Sequence, residues 1–284
     1  MTLRSASRPS LPGSYLLLGL LLTLATSVRA QTNPPTYNGQ FQERNATTLA
    51  LGLEDALTID QLMVYIPGIG SPARENLMRQ NIKSYMMPVR QVTDPKLEWA
   101  YALADCLEYY VNLNSNYKDN MSPDYVALNL AAAGKRPTLV DGLRMLAQEG
   151  TVTAAIVPYG SATIPPAVYS VERKQITNYG QLFHPETRPR NRIFEVRKAL
   201  SRGNPVLVEV STDAAFLGTQ TQRYTTPQPG AETHYLTVVG YDEEDELFEL
   251  RGSYGRLWAD AGYVRLSYDD FGRLTRRGFV LIPK

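Results

Sequence analysis

From Glu98 the chain repeats apolar residues at three- and four-residue steps, through Trp99, Ala102, Leu103, Cys106, Leu107 and Tyr110. That spacing predicts a helix of about four turns with Cys106 on its buried face. Two more helical stretches follow at residues 123–133 and 139–148, the second closed by Gly150. A weaker amphipathic segment at 55–66 precedes them and is stopped by Pro67-Gly68-Ile69-Gly70. The second half changes character. Residues 158–189 are rich in Pro, Tyr and Thr with little periodicity and read as a loop-rich crossing. After a short helix at 193–201, apolar runs at 205–211 (PVLVEVS), 234–241 (HYLTVVGY), 247–250, 262–267 and 278–282 predict strands in quick succession. A helix-rich half followed by a strand-rich half defines an α+β protein, its strands forming a curved antiparallel sheet or open barrel.

Composition narrows the partners. In 284 residues, 29 Lys+Arg face 28 Asp+Glu, for a formal charge of +1 without a long basic run, so nucleic acid is not expected as a partner. A single cysteine and two histidines exclude an internal disulfide and thiolate metal sites, and neither a metal nor another cofactor is expected. Residues 1–30 place Arg4 and Arg8 before the apolar run YLLLGLLLTLA and end on Val28-Arg29-Ala30. Basic flank, short apolar core and small-residue cleavage site, in that order, read as a signal peptide. The chain is therefore expected to be exported to a periplasm, a cell surface or the extracellular space. Beyond the leader no stretch approaches the roughly 20 apolar residues of a membrane span. Loss of Arg4, Arg8 and Arg29 turns the charge from +1 to −2. Residues 31–79 read as an N-terminal extension and 80–284 as the main domain, helical over about 80–157 and β-rich over about 158–284. Asn45-Ala46-Thr47 and Asn120-Met121-Ser122 fit the glycosylation pattern. The acidic run at 242–246 reads as a solvated hairpin tip, and His184 as a surface residue.

Three motifs in order resemble the papain-like cysteine peptidases. PVRQVTDPKLEWAYA, residues 88–102, matches the helix-opening motif QGxCGSCWAFA, in one register whether counted from Arg90 or back from Trp99. THYLTVVGY, residues 233–241, matches GHAVLIVGY, and RGSYGRLWADAGY, residues 251–263, matches KNSWGxxWGxxGY through Ser253, Tyr254 and Trp258. The resemblance spans about residues 80–284, and both tryptophans of the chain fall on it. It implies a two-lobed fold: a helical lobe with its long central helix starting near Glu98, and an antiparallel β-barrel-like lobe carrying His234.

On this register Glu98 stands at the nucleophile's position and His234 at that of the catalytic histidine. Val92 takes the place of the oxyanion glutamine, with Gln91 one residue away as a substitute donor. Gly252 stands where the orienting asparagine belongs, and Thr93 and Lys96 replace glycines. Cys106 lies eight residues past Glu98, about 12 Å down the helix, where it reads as an inert core thiol. The resemblance thus implies a peptidase homologue without its nucleophile, binding a peptide or protein in its interlobe cleft or serving as a scaffold. Two alternatives stay open. Glu98 and His234 can act as acid/base pair or carboxylate nucleophile in a rebuilt hydrolase or transferase. The 31–79 extension can instead lie over the cleft as an inhibitory segment would. In either binding reading, a carboxylate at the helix start paired with His234 reproduces the charge pattern of a thiolate and imidazolium.

Overall fold

A computed structural model describes residues 49–66, 77–132, 136–225 and 228–284. The leader expected at 1–30, the Asn45 acceptor pattern and the Pro67-Gly68-Ile69-Gly70 stop lie outside the described residues.

The first described helix, α1 (Ala56–Leu62), is capped by the Asp55 carboxylate, which accepts from Thr58 N. Strand β1 (Arg79–Asn81) follows. The central helix α2 (Glu98–Ser115) starts directly after a one-turn 3-10 helix, Pro95–Leu97, and ends at Asn116 in the left-handed conformation. It is buried on nearly its whole circumference through the first thirteen residues, more than the single apolar face in its sequence requires. Helices α3 (Pro123–Ala132) and α4 (Leu139–Gln148) pack against it, α4 opened by a Thr138/Asp141 capping box. Strand β2 (Ile176–Phe183) lies inside the stretch expected to be loop. Helix α5 (Pro189–Ser201) starts four residues before its apolar pattern because Pro189 supplies the first turn. Strands β3 (Val206–Thr212), β4 (Glu232–Asp242), β5 (Leu247–Arg251) and β6 (Tyr263–Ser267), helix α6 (Tyr268–Leu274) and strand β7 (Thr275–Pro283) complete the chain.

The strands form one antiparallel sheet in the order β2-β7-β3-β4-β5-β6, with β1 added at the far end of β4. The sheet stays open, with β2 and β6 at its edges, in keeping with the antiparallel sheet or open barrel that the strand pattern implies. Alternation along β4 divides two cores. Val239 belongs to the one around α2, α3 and α4, and Leu236 and Val238 to the one beneath α5 and α6. The acidic run after β4 is a hairpin tip, where the Asp242 side chain accepts from the amides of Glu244 and Asp245.

The described part of the extension does not cover the cleft. Leu53 forms a single parallel bridge to the free edge of β2, donating to Tyr179 O and accepting from Gln181 N. Val64 O accepts from the Asn204 side chain, and Asp60 pairs with Lys198. Leu53, Ile59, Leu62 and Met63 are buried in the second core. Residues 49–66 are thus a strap that caps an otherwise open sheet edge. Opposite it, Tyr224 N and Gln222 O bridge Arg265 and cap part of β6.

Candidate functional site

The site lies where the start of α2 meets the first residues of β4. Glu98 occupies the first turn of α2, where the helix dipole favours a carboxylate. It is 3% exposed and His234 is 4% exposed. His234 Nδ1 lies 3.1 Å from Glu98 Oε2 and 3.4 Å from Oε1. The two residues named from the sequence therefore meet as one buried pair.

A third group completes it. The Tyr254 hydroxyl donates to Glu98 Oε2 at 3.1 Å and lies 3.0 Å from His234 Nδ1. Burial first, and then the Glu98 carboxylate, hold the Tyr254 phenol well above its ordinary range, so it remains a proton donor. The sequence marks Tyr254 only as a motif position. Its reach into the site depends on Gly252, since a Cβ there would stand 2.8 Å from the Tyr254 ring and 2.9 Å from Trp258. Gly252, which has no side chain to orient the imidazole, instead leaves the space in which tyrosine and tryptophan pack. Introducing the side chain by Gly252→Asn is expected to lower stability by about 1–3 kcal/mol, the usual cost of overpacking. A urea melt of the variant measures it, and an unchanged midpoint would remove this reading of Gly252.

The aromatic residues form the far wall. Phe216 is buried with its ring centroid 5.1 Å from that of His234. Trp258 donates to Phe216 O at 3.3 Å, and the Tyr254 and Trp258 rings are 4.8 Å apart. Trp99, one residue beyond Glu98, packs under Gly142 of α4 instead and belongs to the first core. Ser253 is buried, and its carbonyl accepts from Val92 N at 2.7 Å, while Gly255 N donates to Arg90 O. This short pairing of residues 90–92 with 253–255 lays the Gln91 side chain against Gly255.

Cys106 is 1% exposed, with its sulfur 3.6 Å from Thr237 Oγ1. Burial pushes the thiol up to about 12, so it is not a nucleophile. Asn120 is likewise taken. Its side chain accepts from Arg90, and both Met121 and Ser122 are fully buried, which removes it as a glycosylation acceptor. His184 is half-buried, its Nδ1 2.9 Å from the Gln181 amide.

Behind the site, two arginines and two carboxylates form a buried, charge-balanced group. Arg90 contacts Asp105 and Glu108, both on α2. Arg251 contacts Asp105 through Nε at 2.7 Å and Nη2 at 3.1 Å, and also donates to Met87 O, Pro88 O and Tyr263 Oη. Burial pushes the Glu108 carboxyl upward, and the adjacent Arg90 guanidinium pulls it back toward its charged form. Sequence reasoning placed Arg90 and Arg251 only as the openings of two motifs. Through their shared partner Asp105, the two arginines tie the segment before α2 to the end of β5.

Among the described residues no group of three or more His, Cys, Asp or Glu side chains is arranged to hold a metal ion. No described helix is long and apolar enough to cross a membrane.

No family model matches the chain. It is 26% identical over 192 residues to gamete and mating-type specific protein A of Dictyostelium discoideum, covering 65% of this chain and 41% of that protein. With stem bromelain of Ananas comosus it shares 25% identity over 132 residues, 44% of this chain and 55% of bromelain. The chain thus matches about half the length of these curated relatives. Among solved structures, the proform of the ragweed pollen cysteine protease Amb a 11 superimposes with a TM-score of 0.62 at 16% identity, covering 78% of this chain and 68% of that one. Digestive procathepsin L 3 of the Tenebrio molitor larval midgut superimposes with a TM-score of 0.59 at 15% identity, covering 84% and 78%. The chain has the papain-like fold of the cysteine proteases, with Glu98 as the first residue of its central helix.

Proposed function

We propose that this protein is an exported, non-cleaving papain-like protein whose interlobe cleft binds a peptide or protein partner. One observation carries the reading: a buried carboxylate, hydrogen-bonded by His234 and Tyr254, stands where the resemblance puts the thiol nucleophile. A carboxylate satisfied by two donors is a poor nucleophile, and the only thiol of the chain is sealed in the core. The order of basic, apolar and small residues in 1–30 supports export.

The test is turnover. Purified protein incubated with peptide and ester substrates is expected to show no hydrolysis above buffer, with the Glu98→Ala variant indistinguishable from it. Hydrolysis by the unaltered protein that Glu98→Ala abolishes would overturn the proposal in favour of carboxylate-based hydrolysis.

A further inference from the structure

We propose that Glu232 is a positioning residue that holds His234 as an imidazolium clamped between two carboxylates, with Glu98 on Nδ1 and Glu232 on Nε2. His234 Nε2 is buried and has no hydrogen-bond partner among the described residues. A buried polar atom left unpaired forfeits its hydration with nothing in return, so such an atom needs an occupant. Glu232 Oε2 lies 3.5 Å from it. Glu232 and His234 are alternate residues of β4 and project to the same face of the sheet. The Glu232 side chain is 44% exposed and retains rotamer freedom. A shift of roughly half an ångström brings it within hydrogen-bond reach.

The surroundings of His234 agree with a cation. From α2 it faces the Glu98 carboxylate, and from the loop after β5 the Tyr254 hydroxyl, both on the Nδ1 side. From the one-turn helix at Phe216–Gly218 it faces an aromatic ring at 5.1 Å, within the roughly 6 Å over which a ring attracts a cation. From its own strand it faces Glu232. No arginine or lysine contacts it among the described residues. Gly252 has no side chain to accept from Nε2–H, and Glu232, the first residue of the same strand, takes over the orienting task. An imidazolium donating through both nitrogens has no lone pair for general-base work. It becomes a fixed cross-link between the start of α2 and the start of β4.

This inference rests on the Glu98–His234 pairing of the proposed non-cleaving site, but its readout is independent of turnover. In protein labelled with 15N-histidine and carrying His184→Gln to remove the second histidine, nitrogen chemical shifts report whether each ring nitrogen of His234 carries a proton. At pH 7 both nitrogens are expected to be protonated. Glu232→Gln is expected to abolish the Nε2 proton and leave a neutral ring protonated on Nδ1, and Glu232→Asp to restore the charged ring. A neutral ring before any change at Glu232 would overturn the clamp, as would a ring that stays doubly protonated in Glu232→Gln with an unaltered near-ultraviolet spectrum. Hydrolytic activity in the turnover assay would overturn the proposed function while leaving the charge of His234 to be read separately.

Discussion

Replacing Arg251 by methionine is expected to lower the unfolding free energy by about 3–5 kcal/mol, because removing one partner of a buried ion pair leaves an uncompensated charge. Arg251 is among the largest fully buried side chains of the protein. Its loss leaves Asp105 and Glu108 sharing one cation, Arg90, and strips the carbonyls of Met87 and Pro88 of their donors. A loss of this size is a large part of the roughly 5–15 kcal/mol that ordinarily separates folded from unfolded domains. The damage extends to the site, because the segment Arg251 anchors runs on into residues 90–92, which pair with 253–255, the segment that carries Tyr254. Urea denaturation of the purified variant measures the effect. A loss below about 1 kcal/mol would show that the four charges do not act as a unit. Replacing Asp105 by leucine in the same chain is expected to recover part of the loss, since apolar replacement of a whole buried pair is often tolerated.

Truncation of Ile59 to alanine is expected to cost about 2–5 kcal/mol, the range for deleting a buried aliphatic side chain from a core that cannot close around the void. Ile59 is 2% exposed and fills the space left open by Gly180 of β2, where a Cβ would stand 2.8 Å from it. The effect distinguishes two views of the N-terminal extension. If residues 49–66 are an integral strap, the variant unfolds at lower urea in a single transition. A segment that merely docks and detaches would leave the main transition where it is, and that result would separate 49–66 from the cooperative unit. Full loss of the strap would also free the β2 edge, an open row of backbone donors and acceptors.

The strap also explains why β2 was not legible. ITNYGQLF breaks strand alternation with Asn178, Gly180 and Gln181. The structure shows that Asn178 and Gly180 serve the strap rather than water. Asn178, fully buried, accepts from Gly52 N and donates to Ala50 O, and Gly180 admits Ile59. A polar residue buried for a partner over a hundred positions away carries no local signature. Helices α1 to α5 and the other long strands were legible because their signals are local: apolar spacing in α2, a Thr-x-x-Asp box opening α4, and alternation in β4; the short α6, set between β6 and β7, was not read. Glu232 lay two residues before the strand read at 234–241, and only the structure extends β4 to include it and shows the burial of His234 Nε2 that makes its proximity matter.

The sequence by itself determined the order and kind of most elements, the placement of Glu98 at the start of the central helix and the burial of Cys106. Each follows from periodicity and capping within a few turns of chain. Tertiary structure alone decided that Tyr254 joins Glu98 and His234, that Gly252 makes room for it, that Asp105 links Arg90 to Arg251, and that residues 49–66 cap the sheet instead of the cleft. These depend on which polar and apolar groups face each other once helices and sheet have packed. That choice is made by complementary volume and by the need to pair every buried charge, across separations that no local pattern records.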